Sequence, residues 1–247
     1  KIMAARILLA LAFFLLWETA ADRGWIDSFF FSSPSRLGRL FLSMWRDGSL
    51  FLHVGITLTE TLVSFALVVV IGLAVSLLLW LSDSVFQVLE PYLVILNSLP
   101  KSALAPLLIV WLGANSRTII VAGMSVAIFG TILNLYTGFT ETSREKIRLI
   151  YTLHGTKKDA LTKVVLPSTV PMIISIMKVN IGLCLVGVVI GEFIGARNGL
   201  GYLIIYGSQV FQLDLVILSI LILCLMAMLL YGGVTAAEKL YHRRQHA

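Results

Sequence analysis

Charged side chains are scarce in this chain. Asp, Glu, Lys and Arg make up 13% of its 247 residues and hydrophobic residues 58%, whereas charged residues account for about 25% of an average soluble protein. The mean hydropathy of +0.95 points the same way. This composition excludes an ordinary soluble protein. It predicts an all-α, polytopic membrane protein, a single domain whose apolar surface faces lipid.

Cysteine and histidine are also rare. The two cysteines, Cys184 and Cys224, lie in apolar runs, which predicts buried thiols and gives no sign of a disulfide. None of the four histidines lies deep in an apolar run, so we expect neither a metal site nor a catalytic group within the membrane. These histidines are His53, His154, His242 and His246.

The phosphate-binding pattern G-x-x-x-x-G-K-[ST] is absent, because the nearest sequence, His154-Gly155-Thr156-Lys157-Lys158, lacks the upstream glycine. We therefore expect no bound cofactor and no ATP hydrolysis by this chain. The formal charge of +6 is concentrated in segments that are expected to face the cytoplasm. That distribution fits membrane topology better than nucleic-acid binding.

Long apolar runs mark the membrane spans. Three of them carry no charge and are long enough to cross a hydrocarbon core of about 30 Å. Another is apolar apart from Lys178 and Asn180, and prolines at 91, 100 and 106 divide a further region into two pieces, 92–99 and 102–112. The six predicted spans cover residues 4–17, 61–81, 92–112, 118–139, 171–191 and 215–237.

Basic residues set the predicted orientation. They cluster in segment 140–170 and in the tail, whereas the loops around Arg117 and Arg197 carry one each. Because positive loops stay in the cytoplasm, six spans put the 140–170 segment and both termini on that side. The predicted parts are an N-terminal span with an interfacial segment (1–53), a transmembrane core that contains the 140–170 segment (54–237) and a basic tail (238–247).

The interfacial segment contains one amphipathic pattern. Ser33-Pro34-Ser35 begins a predicted helix at the membrane surface. Its apolar side carries Leu37, Leu40, Phe41 and Met44.

The 140–170 segment is the one long polar stretch between two apolar runs, and it predicts two short helices. A capping box from Thr142 to Glu145 is expected to start the first helix, and a second box from Thr156 to Asp159 starts the next. Gly155 is expected to be the left-handed residue between them. Pro167 is expected to end the second helix. The residues alone leave open whether this is a docking platform or a plain solvated loop.

The sequence from Leu153-His154-Gly155-Thr156 to Val164-Val165-Leu166-Pro167 resembles the cytoplasmic coupling motif of ABC-importer permeases. Aligned on Leu166-Pro167, the glycine position of that motif is His154, and Arg148-Leu149-Ile150 stands where E-A-A is usual. The resemblance implies contacts with an ATPase. They are assigned to Leu153, His154, Gly155, Thr156, Lys157, Lys158, Asp159, Leu166 and Pro167.

Two more stretches carry the same resemblance, in the expected order. The proline-rich sequence of residues 96–107 and the Glu192 to Gly199-Leu200-Gly201-Tyr202 sequence are similar to those of nitrate, sulfonate, taurine and bicarbonate permeases. The resemblance implies a type I importer permease in a bacterial inner membrane. It would pair with a second copy of itself, two cytoplasmic ATPases and an extracytoplasmic binding protein.

The implied cargo is a small anion such as a sulfonate, taurine or nitrate. A thiamine-precursor pyrimidine is the alternative, and a secondary carrier is less favoured because no repeats or ionisable relays are evident. Lys101 and Lys178 are candidates for a positive potential in the pathway. For Glu192 two interpretations stay open: a side chain that lies in water without a role, or one that pairs with Arg197 or Lys178 at an outer gate. The candidate pathway residues are Asn97, Pro100, Lys101, Lys178, Glu192 and Arg197.

Overall fold

The computed structural model describes residues 2–245, apart from the side chains of 2–4, 7, 10, 240 and 242–245. Over these residues the chain forms helices and no strand. A π-helical turn (Leu161–Val165) joins α9 to α10. The helices are α1 (Ile2–Asp22), α2 (Ser28–Phe31), α3 (Pro34–Arg46), α4 (Ser49–Leu81), α5 (Asp83–Ser98), α6 (Lys101–Leu112), α7 (Ser116–Thr140), α8 (Arg144–Thr152), α9 (Lys157–Ala160), α10 (Leu166–Gly195), α11 (Leu200–Gln209) and α12 (Leu213–Gln245).

The prediction of an all-α polytopic membrane protein is confirmed. Among the described residues, four helical stretches are long and apolar enough to cross a membrane: Ser49–Leu81, Ser116–Thr140, Lys157–Gly195 and Leu213–Lys239. Helices α5 and α6, which meet at a bend of 95°, make a fifth span if the two cross the membrane together as one. The remaining predicted span, 4–17, lies within α1, where part of the side chains falls outside the described residues. The basic tail residues Arg243 and Arg244 fall there too.

The core is a layer in which α7 lies between α4 and α10. Small residues allow this close approach. A Cβ added at Gly123 of α7 would lie 2.6 Å from the Ser64 Oγ of α4 and 2.7 Å from the Val188 Cγ2 of α10. The Ser64 hydroxyl also donates to the Ile120 carbonyl, at 3.0 Å. Three helices are thereby held together without bulky side chains between them.

Large apolar side chains cover the outer faces of the bundle. Leu78, Val110 and Leu229 are 65%, 80% and 67% exposed, as expected of surfaces in contact with lipid. Cys224 is exposed as well, so its predicted burial is wrong, whereas Cys184 is buried. An apolar run in the sequence does not distinguish a core-facing from a lipid-facing position.

Only one of the three prolines near α5 and α6 interrupts a helix. Pro91 lies inside α5 and Pro106 inside α6, so the predicted breaks at these positions are wrong. The bend lies at Leu99 and Pro100, where Leu99 is extended (φ −61°, ψ 139°) and Pro100 is the N-cap of α6. A proline disfavours helical geometry in the residue before it. A single proline inside a helix removes one backbone hydrogen bond, and neighbouring helices, side chains or water can bond to the carbonyl that is left free.

The amphipathic helix before the core is confirmed as α3. The Ser33 hydroxyl caps it by accepting from the Arg36 amide, and Leu37 and Met44 are buried. The Arg36 guanidinium forms an ion pair with Asp214 at the start of α12, at 2.7 Å. This helix therefore packs against protein on its apolar side. Its predicted place at the membrane surface stays a prediction.

Candidate functional site: the 140–170 segment and the polar groups of the spans

The turn between α8 and α9 contains one left-handed residue, and it is His154, with φ 60°. The prediction that Gly155 would hold this conformation is wrong. The Gly155 amide instead donates to the Ile150 carbonyl at 2.8 Å, which closes the end of α8. A Cβ on Gly155 would lie 2.9 Å from that carbonyl oxygen and 2.5 Å from Ile150 Cγ2. Gly155 is thus required by space and His154 carries the backbone strain.

The second predicted capping box is present. The Thr156 hydroxyl accepts from the Asp159 amide at 3.2 Å, and Asp159 Oδ2 accepts from the Thr156 amide at 2.9 Å. Lys163 forms an ion pair with the same carboxylate at 2.8 Å. Together these contacts fix the start of α9 directly after the left-handed turn.

The first predicted capping box is absent. Ser143, and not Thr142, is the N-cap of α8, and its side chain makes no capping hydrogen bond. The Thr142 side chain is buried, and its hydroxyl has no partner among the described residues. Packing of Thr142 against the bundle has displaced the local capping pattern.

The two lysines of α9 differ in their surroundings. Lys158 is exposed. The Lys157 ammonium lies over the Trp80 ring, 5.4 Å from its centroid, and 3.7 Å from an Asp83 carboxylate oxygen. A cation–π contact therefore holds the partly exposed Lys157 against the junction of α4 and α5.

Pro167 does not end the helix. The chain continues from α9 through the π-helical turn into α10, with Pro167 in the first turn of α10 and Pro171 inside it. The Leu166 amide bonds to the Leu161 carbonyl five residues earlier. This wider turn accommodates the proline ring without interrupting the helix, as π-turns do at many functional sites.

The bend between α5 and α6 engages the charge of Lys101. Its ammonium donates to the Leu96 carbonyl at 3.0 Å and to the Asn97 carbonyl at 2.5 Å. These carbonyls belong to the last turn of α5, where a cation is favourable for the helix dipole. Pro100 lies between them and Lys101. The Lys101 ammonium group therefore caps the C-terminal end of α5.

A cavity of 320 Å³ lies between the end of α5, the middle of α7 and the middle of α10. Its polar lining is neutral: Asn97, Thr131, Asn134, Ser175 and Asn180. Asn97 and Asn134 are exposed, whereas Asn180 is buried and its amide nitrogen has no partner in the described part of the chain. Unpaired amides at membrane depth indicate a water-filled or ligand-lined surface.

Lys178 and Glu192, one of the pairings considered for an outer gate, are not partners. Lys178 forms an ion pair with Glu238 of α12. Glu192 is fully buried and accepts from the Thr57 hydroxyl at 2.7 Å and from the Gly201 amide at 2.6 Å. Arg197 is exposed in the loop before α11 and forms no ion pair with a described residue. The predicted pairing of Glu192 with a basic residue is wrong, since backbone and hydroxyl donors occupy it.

Glu192 and its neighbours hold the start of α11. The Thr57 hydroxyl also accepts from the Leu200 amide at 2.8 Å, and His53 Nδ1 accepts from the Gly199 amide at 3.0 Å. These amides are otherwise orphans at the helix start. A Cβ on Gly199 would overlap the Glu192 carboxyl group. The Gly-Leu-Gly sequence is needed because backbone lies directly against a buried carboxylate.

Sequence reasoning missed three members of this cluster: His53, Thr57 and Glu60, all on α4. The predicted span began at residue 61, after them, whereas α4 begins at Ser49. Their spacing of four and three residues puts all three on one helix face. That spacing was the available signal.

The comparisons with known proteins agree with this architecture. The sequence pattern of the family described as "Binding-protein-dependent transport system inner membrane component" matches residues 68–245. A probable ABC transporter permease protein of Haemophilus influenzae is 30% identical over 229 residues, which cover 93% of this chain and 91% of the relative. The formylaminopyrimidine transport permease protein ThiX of Halalkalibacterium halodurans is 27% identical, covering 92% and 90%.

A putative aliphatic sulfonates transport permease protein, SsuC of Bacillus subtilis, is 24% identical and covers 94% of this chain and 84% of the relative. Among solved structures, the MetNI methionine ABC transporter in an inward-facing conformation matches with a TM-score of 0.67 and 20% identity. That match covers 75% of this chain and 92% of the other. It supports the type I importer permease fold. With the family pattern spanning most of the chain, the protein belongs to the binding-protein-dependent transport system inner membrane components, the permeases of ABC importers.

Proposed function

We propose that the chain forms half of the translocation pathway of an ATP-driven importer in a bacterial inner membrane. Its partners are a second copy of itself, two cytoplasmic ATPases that bind and hydrolyse ATP, and an extracytoplasmic binding protein. Both termini lie in the cytoplasm. The observation that carries the proposal is the two-sided character of the 140–170 segment.

One side of the segment is anchored in the membrane core. Ala160 and Val165 are fully buried, and they share an apolar cluster with Leu135 and Phe139 of α7. Lys157 adds its contact with Trp80 at the end of α4. A force on the segment therefore reaches α4, α7 and α10 directly, because α9 continues into α10 without a break.

The other side presents apolar residues on a basic loop. Leu149, Tyr151 and Leu153 are 58%, 45% and 71% exposed. Such a patch outside the membrane is unfavourable in water and typical of a protein interface. We assign it to the ATPase groove, so that closure of the ATPases moves the anchored helices.

The pathway runs along the neutral cavity between α5, α7 and α10. Its amides supply hydrogen-bond donors and acceptors, and a second copy facing this surface encloses it. Pro100 places the bend beside Asn97, so tilting α6 against α5 changes the width of the cavity. Lys101 lies one residue beyond the bend.

The first candidate cargo is a small anion such as an aliphatic sulfonate, the class named for the SsuC relative. The amide groups of the cavity suit an anion that keeps part of its hydration. A second candidate, a formylaminopyrimidine, is favoured by the uncharged lining and by the ThiX relative. Its ring nitrogens and amide match the Asn97 and Asn134 side chains.

The docking role is tested by Leu153→Asp in the assembled transporter. We expect loss of ATPase co-purification and of ATP-dependent uptake, with normal amounts of permease in the membrane. Phe211→Asp is the matched control, since Phe211 is 69% exposed but lies in the loop between α11 and α12, at the opposite ends of the spans. Retained ATPase capture by the Leu153 variant would reduce the segment to a plain loop.

The pathway and its cargo are tested by uptake into vesicles that contain the transporter and its binding protein. Ser175→Ala, inside the cavity, is compared with Ser98→Ala, outside it, using labelled taurine and labelled formylaminopyrimidine. Uptake of one compound, reduced by the first variant alone, identifies the cargo class. Uptake without ATP would contradict the importer assignment and favour a secondary carrier.

A further inference from the structure

Two glutamates meet inside the protein at the end of the bundle that holds α11. Glu60 of α4 is 3% exposed and Glu192 of α10 is 0% exposed. The Thr57 hydroxyl, one helix turn before Glu60 on the same face of α4, donates to Glu192 at 2.7 Å, so both carboxyl groups lie at the same junction of α4 and α10. The importer mechanism proposed above makes no use of Glu60.

The two carboxyl groups differ in the hydrogen-bond donors around them. Glu192 accepts hydrogen bonds from the Thr57 hydroxyl and the Gly201 amide, which stabilise a negative charge. Neither oxygen of Glu60 has a hydrogen-bond partner in the described part of the chain. Two buried carboxyl groups therefore lie at one junction, where Glu192 has two donors at hydrogen-bonding distance and Glu60 has only the Ser116 hydroxyl of α7 nearby.

An isolated carboxylate without donors is very costly to bury, and a second negative charge beside it adds repulsion. One proton removes both costs, because it neutralises Glu60 and turns it into a donor toward Glu192. We propose that Glu60 and Glu192 form a proton-binding site, in which Glu60 holds the proton and hydrogen-bonds to the ionised Glu192.

The site has a route to solvent. A cavity of 190 Å³ reaches Glu60 and is lined by Ser116 of α7 and by Arg197 and Asn198 of the loop before α11. Protons from the solution at that end reach Glu60 through this cavity without crossing the core. This places proton exchange beside the loop that Glu192 and Thr57 hold.

Few other titratable or charged groups face the pair. Arg197 lines the cavity but makes no ion pair with either glutamate, and His53 accepts from the Gly199 amide while stacking on Tyr202. Helix α7 contributes the neutral Ser116 at this point. No cluster of three His, Cys, Asp or Glu side chains able to hold a metal ion occurs among the described residues. A metal would need more ligands than this pair provides.

The proton stabilises the contact between α4, α10 and α11 while the pair is protonated. That stabilisation is lost as the pH rises through the titration of the pair, because two charges then face each other in a buried site. The proposal concerns the chain alone, so it stands or falls independently of the importer function.

Infrared spectroscopy of the purified permease in lipid tests the site directly. At neutral pH we expect a carboxylic-acid carbonyl band that shifts in deuterated water. It should be lost in Glu60→Gln and kept in Glu90→Gln, a control at an exposed position of α5. In addition, thermal stability should fall at alkaline pH more steeply in the wild type than in Glu60→Gln, whose neutral amide replaces the protonated acid.

The wild type also tests the proposal without any variant. Glutamate labelled with carbon-13 should shift the same band, and no glutamate-derived acid band at neutral pH would overturn the proposal. Removal of the band by sodium or calcium ions at constant pH would overturn it too, since the pair would then bind a metal cation. An unchanged band in a folded Glu60→Gln protein would place the proton elsewhere.

Discussion

His154 offers a sharp test of the turn that joins the two cytoplasmic helices. Its φ of 60° is a conformation that glycine adopts freely and other residues adopt at a cost of about 1–2 kcal/mol. A β-branched residue tolerates it least. We therefore expect His154→Val to weaken the turn by a further 1–2 kcal/mol, approximately.

His154→Gly has a different balance. Glycine relieves the left-handed strain, but it gains about 0.5–1 kcal/mol of conformational freedom in the open segment. The entropy offsets about half of the relieved strain, so the turn should be at least as stable as in the wild type. Thr152→Val is the matched control, because Thr152 is exposed in the last turn of α8 with helical geometry. Such surface changes usually stay within about 0.5 kcal/mol.

Trypsin cleavage of the membrane-embedded permease measures the difference. Arg148 and Lys158 flank the turn, and cleavage there follows local opening. A loss of 1–2 kcal/mol raises the open fraction by about 5–30-fold. His154→Val should therefore be cut that much faster and should lose ATPase capture, whereas His154→Gly and Thr152→Val should be cut no faster than the wild type and should keep ATPase capture. Equal cleavage of the valine and glycine variants at position 154 would refute the left-handed turn.

Three further changes test the site. Gly155→Ala should weaken ATPase capture, because the added Cβ meets a backbone carbonyl at 2.9 Å; co-purification measures this, and full capture would show that α8 ends differently. Thr57→Val leaves Glu192 without one donor and should lower the unfolding free energy by about 1–3 kcal/mol, which Thr57→Ser should restore in thermal denaturation. Lys178→Met should reduce uptake by leaving Glu238 unpaired. Adding Glu238→Gln should recover it, unless Lys178 attracts an anion.

Local patterns predicted the 140–170 segment in outline. The second capping box was predictable because Thr156 and Asp159 need only each other. The first was not, because Thr142 packs into the bundle, and that packing depends on helices distant in the sequence. The left-handed residue was better indicated by the motif alignment, which puts the glycine position at His154, than by the preference of Gly155 for such turns.

The cluster around Glu192 could not be predicted from local sequence patterns. Thr57 lies 135 residues before Glu192, and no pattern within one helix reveals which distant donor will reach a buried carboxylate. The sequence did indicate that His53, Thr57 and Glu60 share one helix face. This signal was missed because the predicted span began at residue 61, after all three residues. A helix that extends a polar face beyond its apolar stretch is a signal of a buried polar contact with another span.

The use of charges within the spans bears on the cargo. A lysine in an apolar run suggests a binding role because an idle charge there is costly. Here Lys178 is neutralised by Glu238 and Lys101 caps the end of α5. The groups left to meet a solute are neutral amides, Asn97 and Asn134 above all. Amides bind sulfonate oxygens and pyrimidine nitrogens alike, so we expect the proposed pathway to discriminate weakly by charge. The proposal therefore assigns most of the selection to the binding protein, which is why the uptake assay has to include it.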